Sequence, residues 1–167
     1  MHPLMTVTAV GATFRGAGAA IAGTTDHSLA IARELAARLG MQAIEVAEHD
    51  RAAYHAAASI ASNFLVTLEA AAERIAASAG VDRALLAPLV RATVENWAKL
   101  GPEAALTGPA ARGDSETVAR QRAEIAARAP ELLELFDALS AATRALAQGS
   151  TSRGAAGSGA AAAEVAA

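Results

Sequence analysis

The sequence predicts a mainly α-helical protein that begins with a short βαβ unit. The chain of 167 residues is 53% hydrophobic but only 3% aromatic. Alanine supplies much of that apolar share, and alanine has the highest helix propensity of all residues. Two short apolar runs near the N-terminus, with one helical segment between them, are typical of parallel strands. From about residue 49 onward, apolar residues recur at the spacing of a helix.

The βαβ unit is assigned to residues 1–47. Its strands are Ala19–Gly23 and Met41–Val46, which are short and apolar. The segment Thr24–Asp26 offers N-caps for the intervening helix, and Gly40 ends that helix as a C-terminal glycine. Because two strands are too few for a stable parallel sheet, we expect this unit to be the end of a larger sheet.

Helices are predicted over residues 48–147, followed by a disordered tail of Gly, Ala and Ser over residues 148–167. Glycine, proline and aspartate mark the helix ends. The predicted helices cover 49–79, 82–100, 114–129 and 130–147. The stripes that we expect to be buried are Ile60, Phe64, Leu68, Ala71 and Ile75 on the first helix, and Leu86, Leu89, Val90, Thr93, Trp97 and Leu100 on the second.

Composition excludes several classes of function. The formal net charge is -3 and there is no cysteine, so we expect no nucleic-acid partner, disulfide, thiolate metal site or cysteine nucleophile. The four histidines lack ligand spacing, so no metal is expected. The uncharged stretch Ala52–Leu68 is shorter than the roughly 20 apolar residues of a membrane span. We therefore expect a soluble, cytoplasmic protein without a membrane partner.

Three polar side chains in that uncharged stretch are the candidate catalytic residues. His55, Ser59 and Asn63 follow one another at intervals of four, which places them within about 80° on a helix. Burying such groups is costly unless each finds a partner. An imidazole can deliver a proton and a carboxamide can orient a carbonyl. The alternative is a polar seam between two packed helices.

A second polar segment, Thr107–Asp114, reads Thr-Gly-Pro-Ala-Ala-Arg-Gly-Asp. Proline restrains this turn, and Arg112 can hold a substrate carboxylate through two parallel hydrogen bonds. Asp114 is either a second polar contact or the N-cap of the next helix. Asn96 lies at the edge of the apolar stripe on the preceding helix.

The chain shows no nucleotide-binding fingerprint of its own. Gly16-Ala17-Gly18 has no third glycine at position 21 and follows no evident strand. No Gly-x-Ser-x-Gly motif occurs, so a serine hydrolase is not supported.

These motifs resemble the bacterial family called domain of unknown function 2520, over about residues 2–147. The residues that carry the resemblance are His2-Pro3-Leu4, Tyr54-His55 with Ser62-Asn63, Asn96, and Ala105–Asp114. In that family the domain follows a Rossmann-like NADP-binding domain and is similar to the 6-phosphogluconate dehydrogenase C-terminal-like superfamily.

The resemblance implies the substrate-binding and dimerisation domain of an NAD(P)-dependent oxidoreductase that reduces a small carbonyl or imine compound. Residues 1–47 would be the remnant of a Rossmann-like sheet, and residues 48–147 the helical domain. It also implies a homodimer. NADP or NAD would be bound mainly by a Rossmann-like domain missing from this chain, upstream or in trans.

The resemblance also suggests roles for individual residues. Hydroxyacid dehydrogenases of the superfamily carry a lysine four residues before an asparagine; here Asn63 fits, but Ser59 stands in the lysine position. His55, one turn earlier, would then supply the proton. The substrate-binding residues implied are Asn96, Thr107, Gly108, Arg112 and Asp114.

Two other interpretations remain open at this point. The chain could be a non-catalytic helical module that binds a metabolite or forms a dimer, because it contains no cofactor motif. It could also be an inert helical fragment. The uncharged stretch Ala52–Leu68 is hard to cover with so few helices, which independently favours a homodimer.

Overall fold

The computed structural model describes the backbone of residues 1–163 and the side chains of residues 1–149. The chain divides into two compact units, Met1–Glu69 and a second unit from Ala70 onward. The fold class predicted from the sequence is confirmed, because the described part is mainly helical with one small sheet at its N-terminal end. The boundary between the two units falls inside a helix. It does not test the predicted domain boundary between residues 47 and 48, which stays a prediction.

The N-terminal unit opens with a three-stranded sheet. Its elements are β1 (His2–Leu4), β2 (Gly18–Ile21), α1 (Asp26–Arg38) and β3 (Gln42–Glu45). Strands β2 and β3 are parallel, with Gly18 opposite Gln42, so the βαβ prediction is confirmed. Strand β1, which the sequence analysis did not predict, adds to the other edge of β2 in antiparallel orientation.

Helix α1 begins and ends as its sequence indicates. The backbone N–H of Ser28 donates to the Thr25 hydroxyl at 3.1 Å, and the N–H of Thr25 donates to the Ser28 hydroxyl at 3.2 Å. This reciprocal pair satisfies two N–H groups that have no partner inside the helix. After the helix, Gly40 has a φ of 72°, a conformation that glycine adopts without the steric cost of a side chain.

The predicted helix over residues 49–79 is continuous but not uniform. It consists of a 3₁₀ turn (Glu48–Asp50), α2 (Arg51–Ser59), a π-helical segment (Ile60–Phe64) and α3 (Leu65–Ser78). The π segment was not predicted from the sequence. It widens the helix by one hydrogen-bond step, from i→i−4 to i→i−5.

The C-terminal unit contains α4 (Arg83–Ala105), α5 (Ser115–Arg128) and α6 (Leu133–Ala163), with a 3₁₀ turn at Pro130–Leu132. Asp82 caps α4 by accepting from the N–H of Ala84 at 2.8 Å. At Gly101 the backbone leaves helical geometry, with a φ of 78°. The helix stop predicted at Gly101-Pro102 is therefore present as a break inside α4.

Helix α6 includes part of the segment predicted as a disordered tail. The backbone of residues 148–163 is helical, which agrees with the high helix propensity of its many alanines. The remaining tail residues, 164–167, lie outside the described part of the chain.

The two apolar stripes expected to be buried are only partly covered, which corrects the sequence prediction: Leu68, Ala71, Ile75, Leu86 and Val90 are half-buried, and the other residues are exposed. On the π segment Ile60 and Phe64 are 61% and 56% exposed, and on α4 Leu89 and Trp97 are 65% and 57% exposed. The helices are rich in alanine, whose small side chain provides little apolar surface to cover them. Contiguous exposed apolar surface is typical of interaction sites. None of the helices in the described part of the chain has the length and apolar content needed to cross a bilayer.

Candidate substrate pocket at the end of the parallel strands

A cavity of about 200 Å³ lies in the N-terminal unit, at the carboxyl ends of β2 and β3. This edge of a parallel sheet is where α/β proteins commonly bind ligands. The lining consists of an apolar part from the strands and a polar part from β1 and α2. The lining residues are Met1, His2, Ala20, Ile21, Ala22, Val46, Arg51, Tyr54 and His55.

Local structure brings these residues together. The N–H of Val46 donates to the carbonyl oxygen of Ile21 at 3.4 Å, so the parallel pairing continues to the rim of the cavity. The register of β1 sets His2 opposite Ala20. Helix α2 then starts beside this edge with Arg51, the first residue of the helix.

His2, Tyr54 and His55 form a cluster of three rings. The ring centroids of His2 and His55 are 4.8 Å apart, those of Tyr54 and His55 are 5.4 Å apart, and all three pairs meet edge to face. The Tyr54 hydroxyl lies 3.2 Å from Nδ1 of His2 and donates to the His2 carbonyl oxygen at 3.4 Å. A proton on Nδ1 of His2 allows both hydrogen bonds at once, so β1 and α2 hold each other at the cavity.

Of the three predicted catalytic residues, His55 alone lines the cavity. Ser59 is half-buried at the end of α2, and Asn63 is exposed within the π segment. Because a π turn contains more residues than an α turn, each residue rotates the chain less. The π segment therefore turns Asn63 back toward the helix face of His55, relative to a regular α-helix. Single π turns are frequent at functional sites.

The other predicted site residues lie in the C-terminal unit. Asn96 is exposed on α4, and Thr107 and Gly108 begin the connection to α5. That connection is held by its own backbone: the N–H of Arg112 donates to the Gly108 carbonyl oxygen at 3.2 Å. Arg112 is exposed in this turn, and its guanidinium interacts electrostatically with the Asp114 carboxylate. The turn thus displays a cation, as its sequence indicates.

Asp114 acts as the N-cap of α5. Its carboxylate accepts a hydrogen bond from the backbone N–H of Thr117 at 3.0 Å. That hydrogen bond lowers the pKa of the Asp114 carboxyl below its ordinary value, and the nearby guanidinium groups of Arg120 and Arg112 lower the pKa further. The structure thus supports the capping role that the sequence left open, and a substrate contact by Asp114 stays a prediction.

Sequence reasoning missed three polar residues of the cavity: His2, Arg51 and Tyr54. Arg51 lies four residues before His55, and this spacing places two residues on the same helix face. That spacing indicates a shared face, but Arg51 lies just outside the uncharged stretch that begins at Ala52. The signal for His2 was its place in the motif His2-Pro3-Leu4, to which no role was assigned.

The segment Gly16-Ala17-Gly18 does not lie where a dinucleotide-binding fingerprint would. Gly16 has a φ of 83° and its N–H donates to the carbonyl oxygen of Gly40 at 2.7 Å. It therefore belongs to a turn before β2, whereas a dinucleotide fingerprint follows a strand and opens a helix. Among the described residues, no group of three or more His, Asp and Glu side chains is arranged to hold a metal ion.

Comparisons with known proteins agree with the resemblance seen in the sequence. The model of the family described as domain of unknown function 2520 matches residues 18–143. Protein BF3122 of Bacteroides fragilis, described provisionally as an NADP oxidoreductase, has a similar structure with a TM-score of 0.77 at 22% sequence identity. Protein TM1727 of Thermotoga maritima is similar with a TM-score of 0.66 at 30% identity.

The chain spans about half the length of both structural neighbours. The similarity to the Bacteroides protein covers 85% of this chain and 55% of that protein. For the Thermotoga protein the corresponding values are 74% and 51%. No curated protein of described function matches the chain.

Proposed function

The chain belongs to the family described as domain of unknown function 2520, and on this premise we propose that it is the substrate-binding and dimerisation domain of an NAD(P)-dependent oxidoreductase. The reaction would reduce a small carbonyl or imine compound. The observation that carries the proposal is the cavity at the ends of β2 and β3, which presents His55 to a small ligand. The fold shared with a protein described provisionally as an NADP oxidoreductase supports the reaction class.

His55 is the proton donor in this proposal. Reduction adds a hydride to the carbonyl or imine carbon, and the oxygen or nitrogen must then receive a proton. An imidazole titrates near neutral pH and can transfer that proton. The exposed position of His55 allows solvent to replace the proton after each turnover.

Other residues would bind and orient the substrate. We assign Ser59 and Asn63 to orientation of the reacting group, since the π segment keeps Asn63 near the helix face of His55. The substrate contacts assigned to the C-terminal unit are Asn96, Thr107, Gly108, Arg112 and Asp114.

The cofactor is NADP or NAD, which supplies the hydride when it is bound. Because the sequence carries no dinucleotide-binding fingerprint, a Rossmann-like domain upstream or in trans would hold most of the cofactor. Each structural neighbour has a further part that this chain does not span, and we assign the Rossmann-like domain to such a part.

We assign the exposed apolar side chains to the interface of a homodimer. Ile60 and Phe64 lie in a stretch, Ala52–Leu68, without any charged residue. On α4, Leu89 and Trp97 are exposed on one face, and their spacing of eight residues corresponds to about two helical turns. A second copy of the chain offers the same apolar surfaces, as an interface with twofold symmetry requires.

The experiment combines this chain with a separately expressed Rossmann-like NADP-binding domain and follows NADPH oxidation. A panel of small 2-oxo acids and cyclic imines serves as substrates. We expect turnover with at least one of them, and we expect His55→Ala to lower it by about 10²–10⁴-fold, the usual contribution of a general acid.

The matched control is His49→Ala. His49 lies in the neighbouring 3₁₀ turn, is exposed and does not line the cavity, so its loss should leave turnover unchanged. Equal turnover of the His55→Ala variant and the unchanged chain would remove His55 from the mechanism. Ligand binding without NADPH oxidation would favour the non-catalytic metabolite-binding module instead.

A further inference from the structure

The cavity that contains His55 carries an excess of positive and hydrogen-bond-donating groups. Its polar lining includes the guanidinium of Arg51, the rings of His2 and His55 and the hydroxyl of Tyr54. No Asp or Glu lines the cavity. An arginine in a concave site whose lining contains no carboxylate is a common arrangement for binding an anion.

Arg51 retains most of its donors for such a ligand. Among the described residues its ion-pair partner is Glu48, whose carboxylate oxygens lie 3.2 and 3.4 Å from Nη1 of Arg51. The Glu48 side chain is 82% exposed, and ion pairs at such exposure contribute little. The ion pair with Glu48 uses only Nη1 of Arg51. Nε and Nη2 can therefore donate to a ligand, and together they have the geometry that binds a carboxylate through two parallel hydrogen bonds.

Arg51 and His55 are four residues apart on α2. Residues at that spacing are neighbours on one helix face, with about 5–6 Å between their Cβ atoms. A ligand that places a carboxylate on Arg51 therefore presents the adjacent group to His55. The strands contribute an apolar surface from Ala20, Ala22 and Val46, which suits a small organic acid better than inorganic phosphate.

We propose that Arg51 binds the carboxylate of a small 2-oxo or 2-imino acid whose reacting group faces His55. The proposal rests on the proposed function for the position of His55, and it narrows the substrate to acids with the carboxylate next to the reduced carbon. It also assigns the acidic end of the substrate to Arg51, whereas the sequence pointed to Arg112. The Tyr54 hydroxyl and His2 act as positioning residues that hold β1 against α2.

The test measures binding of pyruvate to this chain without NADPH, by calorimetry and by the NMR signals of the histidine rings. We expect saturable binding that shifts the ring signals of His55. Arg51→Gln should weaken binding at least about tenfold, as expected for loss of hydrogen bonds to a charged group. Glu48→Gln should tighten pyruvate binding only slightly, because the ion pair that it removes is exposed and weak.

Arg38→Gln is the matched control. Arg38 is an exposed arginine of the same unit that is also paired with a glutamate, Glu34, on its own helix, and it does not line the cavity. Its loss should leave the affinity for pyruvate unchanged. Equal weakening in Arg38→Gln and Arg51→Gln would show a general effect of charge and would overturn the proposal.

Other arms test the nature of the ligand. Pyruvamide has the same carbonyl but no negative charge, so it should bind far more weakly than pyruvate. Tighter binding of inorganic phosphate than of pyruvate would assign the site to a phosphate group and overturn the proposal. A larger loss of pyruvate affinity in Arg112→Gln than in Arg51→Gln would also overturn the proposal. Pyruvate bound through Arg51, with no NADPH oxidation on any acid or imine of the panel, would leave the carboxylate site standing and reject the proposed function.

Discussion

The two units of the chain are stabilised in different ways. In the N-terminal unit Ala17, Ala19, Ala36 and Met41 form a buried cluster, and Ile21 is only 2% exposed. In the C-terminal unit, among the described side chains, the only buried hydrophobic residue is Ala129. Its helices are joined instead by ion pairs, such as Arg122 with Asp137 between α5 and α6 and Arg83 with Glu73 between α4 and α3.

Both units leave large apolar side chains exposed, but among the described side chains only the N-terminal unit has a buried apolar cluster. Burial of apolar area stabilises a fold in proportion to that area, whereas exposed ion pairs contribute about 0–1 kcal/mol each. The C-terminal unit therefore gains little from its ion pairs and leaves apolar surface on α4 exposed. We infer that its stability depends more on association than the stability of the N-terminal unit does.

The largest effect should come from the core of the N-terminal unit. Ile21→Ala removes a side chain that is 2% exposed, and such a change lowers the free energy of unfolding by about 2–5 kcal/mol. Ile31→Ala is the control, because Ile31 in the same unit is 53% exposed. This variant should lower the free energy of unfolding much less. Urea unfolding followed by circular dichroism measures both. Similar losses in the two variants would contradict a distinct core in this unit.

Much of the fold could be predicted from the sequence where short-range rules determine it. The N-cap at Thr25, the glycine after α1 and the cap at Asp82 depend on a few neighbouring residues, and each is present. Strand β1 has three residues and pairs with β2 across a long connection, so no periodicity indicates it. The π segment also leaves no periodic signal, because its five residues are bounded by regular helix on both sides.

The candidate site was harder to predict because its parts are distant in sequence. His55 was recognised from its own helix, but His2 reaches it only through the pairing of β1 with β2. The exposure of the apolar stripes was also missed, since a helical period indicates which residues share a face and not what covers them. The segment Thr107–Asp114 was predicted as a restrained turn, and its backbone hydrogen bonds agree with that interpretation.

Substitutions on the exposed face of α4 should have a smaller effect on the free energy of unfolding but a large effect on association. The double variant Leu89→Ser, Trp97→Ser removes two side chains that are 65% and 57% exposed. Surface changes of this kind alter the free energy of unfolding of the isolated chain by about 0.5 kcal/mol or less. Light scattering at micromolar concentration should show a dimer for the unchanged chain and a monomer for the variant. A monomeric unchanged chain, or a variant that stays dimeric, would contradict the proposed interface.

The smallest effect should be the response of the C-terminal unit to acid. The hydrogen bond from Arg122 lowers the pKa of the Asp137 carboxyl, and the hydrogen bond from Thr117 lowers that of Asp114. A carboxyl whose pKa is lower in the folded state stabilises the fold above its unfolded pKa, about 3.9 for aspartate. That contribution decreases as the pH falls through the folded pKa. Because both groups are exposed, solvent screening keeps each contribution small.

Asp137→Asn tests this effect, because asparagine is similar in size but does not ionise. We expect the variant to be less stable than the unchanged chain at pH 7, and the difference to decrease as the pH falls through the lowered folded pKa of Asp137, where the carboxyl becomes protonated. Glu134→Gln is the control, since it removes a carboxyl from the same helix without breaking the Arg122–Asp137 pair. A difference for Asp137→Asn that persists unchanged at low pH would show that packing, and not the ion pair, joins α5 to α6.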